Sequence, residues 1–256
     1  MGRLSDYVNA IKFMEKYKID PDYVLINRDP FYLNLKHWDI NGEFDELDEE
    51  EIPVKINLVD GCFVIRSYAT NSNLKSLKNF PTYVRGKFEL EYLKHIVNLE
   101  GGPEYVGDDF YVKLYNLKSL KGCPKFVRNN FELSTPSLES IDDFPTTIGE
   151  GIAIHSGKIK DFGCAYRCGI VNMIHIGGLK NLESFEGLPD ARAIYIHPGC
   201  DVSRIKDFKP LKDIKIFYMA SNGQTNNLEE YESYIREQSA QYQAQVQTKS
   251  EIPLSF

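Results

Sequence analysis

The sequence predicts an α/β solenoid: a stack of about eight turns of about 20–25 residues, with a parallel sheet on one face and a helical cap at each end. Three observations predict it. An apolar-x-apolar strand pair recurs as Phe63/Ile65, Phe88/Leu90, Phe110/Val112, Phe131/Leu133, Ile152/Ile154, Ile174/Ile176, Ile194/Ile196 and Ile214/Ile216. Its first members lie 25, 22, 21, 21, 22, 20 and 20 residues apart. Between the pairs, two linking apolar positions recur (Leu74/Leu77, Ile96/Leu99, Leu117/Leu120, Leu138/Ile141, Ile159/Phe162, Leu182/Phe185). Prolines 81, 103, 124, 145 and 189 then start the return path, where a fixed φ and a missing N–H suit a corner.

Taken in order, residues 1–22 read as a capping helix, with Ser5 as N-cap, a stripe of Val8, Ile11, Met14 and Tyr17, and a stop near Lys18 before Asp20-Pro21. Residues 23–58 hold two short strands, Tyr23–Ile26 and Tyr32–Leu35, and an acidic run over 43–51 that reads as a solvated loop. Residues 59–220 are the solenoid, in which each turn buries its pair against the turns before and after it. Residues 221–256 begin a second helix after Asn226-Asn227, with Tyr231, Ile235, Tyr242 and Val246 on one face and a glutamine-rich second half.

Composition narrows the function classes. A net charge of −7 over 256 residues argues against a general nucleic-acid or anionic-membrane surface. The start shows no apolar leader, no apolar run approaches the ~20 residues of a bilayer span, and Asp6 stands where a myristoylation signal needs Ser or Thr. Five cysteines, an odd number, suggest reduced thiols in a cytoplasm. No phosphate loop, nucleophile elbow, HExxH or dinucleotide fingerprint is present.

The phrase Leu-x-Ser-Leu-x-x-x-Pro-x-x-Val-x-x-x-Phe occurs at Leu74–Phe88 and again at Leu117–Phe131. With the strand pair, it resembles the leucine-rich-repeat-like proteins of tailed bacteriophages and some bacteria over about residues 20–220. The resemblance implies a leucine-rich-repeat-like fold, a viral origin and action in the host cytoplasm. The asparagine ladder of standard leucine-rich repeats is missing, since Leu93, Tyr115, Pro136 and Gly157 stand at its positions. Irregular corners are therefore expected. The turn around Cys164–Ile170 also lacks its proline.

Side chains alternate along a strand, so the residues between the buried pairs share one outward face. The middle column reads Val64, Glu89, Tyr111, Glu132, Ala153, His175, Tyr195, Lys215, and its companion reads Arg66, Glu91, Lys113, Ser134, His155, Gly177, His197, Phe217. Tyr111, Lys113, His155, His175, Tyr195 and His197 are the candidate binding residues, because aromatic and imidazole groups anchor interfaces at low entropic cost. A serine–histidine–acid set could be assembled from Ser134, His155 and Glu132, but any polar sheet face offers such triples. The histidines and Cys164-x-x-x-Cys168 match no standard zinc spacing. Cys123 stands where other turns carry phenylalanine and reads as a core filler.

The expectation is a non-enzymatic protein-binding scaffold with no metal and no cofactor, engaging a host or phage protein through the strand face, with no nucleic-acid and no membrane partner. Two alternatives come from other classes: a sponge for a small signalling nucleotide near His175, Tyr195 and His197, and a virion or assembly component that self-associates through the C-terminal helix.

Overall fold

The computed structural model describes residues 2–19, 24–28, 31–41, 50–67, 72–220 and 223–250. The chain winds as a parallel-strand β-solenoid of about eight turns followed by a C-terminal helix. Strands occur at two places in a turn. The longer ones, β3 (Trp38–Asn41), β5 (Phe63–Arg66), β7 (Phe88–Glu91), β9 (Phe110–Lys113), β11 (Phe131–Ser134), β13 (Gly151–His155), β14 (Val171–Gly177), β15 (Ala191–Ile196) and β16 (Ile216–Met219), pair in parallel in that order. β17 (Gly223–Thr225) closes this sheet antiparallel to β16. A second sheet runs through β1 (Val24–Arg28), β2 (Phe31–Leu35), β4 (Ile56–Val59), β6 (Tyr83–Val84), β8 (Tyr105–Val106), β10 (Phe126–Val127) and β12 (Thr147–Ile148).

β1 and β2 form an antiparallel hairpin, and β2 passes into the parallel ladder through β4. Among the described residues no α-helix lies between the strands of the repeating turns; the helical pieces there are short 3-10 turns at Ala165–Cys168 and Lys209–Leu211. The expected α/β solenoid is thus a β-solenoid, and the sheet expected on one face has a partner on another.

The apolar pairs build the core as their period requires. Phe63, Phe88, Phe110 and Phe131 are fully buried and stack face to face, with centroids 5.6, 5.4 and 5.1 Å apart and planes within 7° of parallel. Strand spacing of ~4.8 Å sets neighbouring rings at near-stacking distance. Ile152, Ile174 and Ile194 continue the same inward column. Cys123 is half-buried against this core, and desolvation pushes its thiol well above the ordinary value.

The bends after the linking apolar positions are regular. In the phrase Leu-x-[Ser/Asn/Asp]-Leu, the third residue turns its side-chain oxygen onto the backbone N–H two residues ahead. Ser76, Asn98, Ser119, Ser140, Asp161, Ser184 and Asp207 each accept such a bond at 2.8–3.1 Å. A short polar side chain can mimic a backbone turn this way. The corner is closed by its own residue, with no ladder of asparagines.

Two sequence expectations shift in register. α1 (Gly2–Lys16) begins before Ser5, which therefore lies inside the helix. Its buried residues are Ala10, Phe13 and Met14, while Val8 is exposed. Residues spaced by three fall short of the 3.6-residue turn, so Val8 and Tyr17 point to opposite sides. Phe13 meets Trp38 edge-on at 5.4 Å, and Trp38 meets Phe63 edge-on at 4.8 Å.

At the far end Ile194 pairs with Phe217 and Tyr195 with Tyr218. Phe217/Met219 is therefore the inward pair, Tyr218 rather than Lys215 ends the middle column, and Phe217 leaves the companion column. The 3-10 turn at Lys209–Leu211 lengthens this rung and slides Ile214/Ile216 out of register.

α2 (Leu228–Ser250) starts at Asn227, whose Oδ1 accepts from Glu229 and Glu230 N–H at 2.9 and 3.2 Å. Tyr231, Ile235 and Ser239 bury its first half; Tyr242 and Val246 are exposed. Tyr231 stacks on Phe217 at 4.7 Å and its hydroxyl accepts from the Ile196 N–H at 3.0 Å. Asp20-Pro21, residues 43–49 of the acidic run and residues 251–256 lie outside the described residues.

Candidate binding face

The outward residues of the longer strands form one column in register: Val64, Glu89, Tyr111, Glu132, Ala153, His175, Tyr195, Tyr218. Beside it, Arg66, Glu91 and Lys113 are direct neighbours, as are Ser134, His155 and Gly177. Parallel pairing alone brings these side chains together, because one pleat phase runs through every turn.

The N-terminal half of the face is an ionic cluster that satisfies itself. The Arg66 guanidinium contacts the Glu89 carboxylate and lies 3.3 Å from Glu91; the Lys87 ammonium sits on the other Glu89 oxygen. Glu89 is 1% exposed. Burial alone would raise its carboxyl, but hydrogen bonds from Arg66, Lys87 and Glu91 outweigh that and hold it down at about 2. Burial, and then the adjoining Glu89 carboxylate, push Glu91 up, so Glu91 keeps the pair's proton longer. Lys87 lies over the Tyr111 ring at 5.4 Å and Lys113 over Tyr92 at 4.8 Å. Tyr111 and Lys113 thus have their faces and charge engaged within the cluster.

The C-terminal half is different. His175 meets Tyr195 at 5.7 Å and Tyr195 meets His197 at 6.3 Å, both edge-on. His155 lies over Gly177: a Cβ built there would fall 2.2 Å from its Nδ1. Glycine at this position makes room for the imidazole. His197 Nδ1 accepts the Gly199 N–H at 3.1 Å, which orients the ring. Desolvation, then the neighbouring His197, lowers the His155 pKa; desolvation, then His155, lowers that of His175. Both imidazoles are therefore neutral at pH 7. Small Gly151 and Ala153 leave a depression of about 350 Å³, also lined by Glu132, His155, Met173 and His175. Burial raises the Glu132 carboxyl at its edge.

Of the six residues singled out by sequence, His155, His175, Tyr195 and His197 gather in this second cluster, while Tyr111 and Lys113 belong to the first. Sequence reasoning missed Met173 and Tyr218. β14 is seven residues long, and its Val-x-Met-Ile-x-Ile run was the signal for Met173.

Comparison with known proteins finds no matching family model, no matching curated protein and no matching solved structure. Among the described residues, no three His, Cys, Asp or Glu side chains gather to hold a metal ion, and no helix is long and apolar enough to cross a membrane. Cys164 and Cys168 turn their thiols to different carbonyls, Ile141 O and Gly169 O, each at 3.8 Å.

Proposed function

We propose that the chain is a non-enzymatic protein-binding scaffold that takes its partner on the C-terminal half of the strand face. The observation that carries this reading is the histidine–tyrosine cluster around Tyr195, with three exposed imidazoles of which His155 and His175 have lowered pKa values, beside a strand face whose charges are already paired within the chain. Neutral rings lose less hydration on burial than ions do, and they supply both donors and contact area. The phage-like repeat phrase supports a leucine-rich-repeat-like ancestry and a bacterial host protein as partner, met in the host cytoplasm. The contact of Phe13 with Trp38 and that of Tyr231 with Phe217 support reading the two terminal helices as caps.

Affinity capture from bacterial lysate tests the proposal. A partner held by the wild type and by a Tyr83→Ala control on the other sheet should be lost from His175→Ala/Tyr195→Ala. A folded double variant that keeps every captured protein sinks the reading.

The exposed Tyr242 and Val246 on α2 favour a second reading, self-association of the chain through this helix. Sedimentation velocity of a chain ending at residue 240 should then show a smaller species than the full chain.

A further inference from the structure

We infer that the second sheet carries a separate site for a small planar molecule bearing one anionic group, of the nucleoside monophosphate class. The site is independent of the partner face proposed above. It rests on a repeat within the repeat: Pro81-Thr-Tyr-Val-Arg85, Pro103-Glu-Tyr-Val-Gly107, Pro124-Lys-Phe-Val-Arg128 and Pro145-Thr-Thr-Ile-Gly149. The Val/Ile column points inward and is buried. Tyr83, Tyr105, Phe126 and Thr147 pair in register on the outward side, and Arg85, Gly107, Arg128 and Gly149 each follow directly after the paired strands.

A groove of about 570 Å³ opens on this sheet, lined by Tyr83, Arg85, Tyr105, Gly107 and Arg128 with Asn57 and Leu58. That volume lies within the range of small-molecule sites. Tyr105 and Phe126 stack on each other at 4.9 Å with planes 2° apart. Tyr83 stands beside them on the ladder, is 46% exposed and offers its ring to the groove.

The anion site is as specific. Arg85 is tied to Asp60 at 2.6 Å. Two rungs away, about 10 Å by ladder spacing, exposed Arg128 has no carboxylate within ion-pair reach among the described residues. Between them stands Gly107, where a Cβ would fall 2.2 Å from the Arg85 carbonyl oxygen. The close approach of the turns excludes any other residue at Gly107, and both guanidinium-bearing residues, Arg85 and Arg128, line the groove. Several cations of this chain pair with acids of neighbouring turns, as Lys75–Glu50, Lys78–Glu51, Lys121–Glu100, Lys158–Glu139 and Lys160–Glu183 do. Arg128 does not, and it lies in a groove that Tyr83 and Tyr105 also line. A guanidinium takes phosphate or carboxylate through paired N–H donors, and the tyrosines take the ring. The strand face suits such a ligand less, since Glu89 and Glu132 lie on it and desolvation disfavours the charged forms of His155 and His175.

Titration calorimetry on the full chain with adenosine monophosphate tests the site, with adenosine, inorganic phosphate and indole-3-acetate as separate arms. Adenosine monophosphate should bind one per chain, and more tightly than adenosine or phosphate alone. Arg128→Ala should weaken it about tenfold or more, Tyr83→Ala should weaken it too, and Arg85→Ala should have the smaller effect because Asp60 already engages that residue. His175→Ala should leave binding unchanged. Indole-3-acetate binding with the same dependence on Arg128 supports the site and marks the anion as a carboxylate. Failure of both planar anions to bind at millimolar concentration overturns the proposal. So does binding that survives Arg128→Ala and Tyr83→Ala, or binding lost in His175→Ala.

Discussion

On the N-terminal side of β11 the strand face is charged and closed; on the C-terminal side it is neutral and open. The backbone ladder is the same throughout, and so is the phase of the pleat. Beneath Glu89 and Tyr111 lie stacked phenylalanines, and above them Arg66, Lys87 and Glu91 saturate one another. Beneath His175 and Tyr195 lie isoleucines, and the two rings meet edge-on with no ion pair at either among the described residues. A solenoid's scaffold thus decides where side chains meet, while each turn's own residues decide whether they satisfy one another or remain available.

The largest test of that division is in the core. Phe131→Ala removes a fully buried ring stacked on Phe110 and edge-on to Phe144, and should cost about 3–5 kcal/mol in denaturant unfolding. Ile174→Val on the other side should cost about 0.5–1.5 kcal/mol. Equal costs would show that the phenylalanine stack contributes nothing beyond its place in the column.

A smaller effect is expected at the surface of the first half. Arg66→Ala leaves Glu89 buried with Lys87 as its remaining cation and should cost about 2–3 kcal/mol, below the full loss of a buried pair. The variant's Glu89, followed by carbon-detected NMR titration, should titrate above the value of about 2 that Arg66 helps maintain. No change in either quantity would mean that Lys87 alone holds the carboxylate.

The smallest effect is in the pH dependence, and it separates the halves. The folded values of His155 and His175 lie below the ordinary 6.5, so the native state prefers them neutral. Their contribution is present above pH 6.5 and is lost as pH falls through it toward the folded values. Glu89 is depressed from 4.5 to about 2, so its contribution holds above pH 4.5 and fades only on descent toward 2. Glu91, being raised, works the opposite way. Between pH 7 and 5.5 protection factors, which allow for the slower intrinsic exchange at lower pH, should therefore fall in β13–β15 and not in β5–β9, and His155→Gln/His175→Gln should abolish the difference. A uniform fall along the stack would contradict it.

The stack and its outward column were legible because burial against the next turn forces a period of two within each strand and a fixed length between strands. Phe88, Phe110 and Phe131 could hardly recur so for any other reason. The register of β16 was not legible, since Ile214/Ile216 mimics the inward pair and only the packing of Phe217 on Tyr231 reveals the longer rung. The α1 stripe failed because three-residue spacing drifts around a helix. The second sheet was hidden because its repeating strands are two residues long, too short for alternation to show. Its signal lay instead in the Pro-x-[Tyr/Phe/Thr]-[Val/Ile]-[Arg/Gly] phrase, where the small residue at Gly107 marks the groove. Of the strand-face cluster, the histidines were visible by column counting, whereas the neutrality of His155 and His175 depends on desolvation that no linear pattern records.

The self-closed corners have an evolutionary meaning. Because Ser119 or Ser140 fastens its own bend two residues ahead, a duplicated turn brings that side-chain bond with it and has only the repeating backbone bonds between turns, such as Lys118 N–H to Val97 O, to remake. Lengthening the molecule then requires only a copied segment of matching phase, so the spacing between the two terminal helices changes in steps of one strand while the outward columns of both sheets keep their alignment.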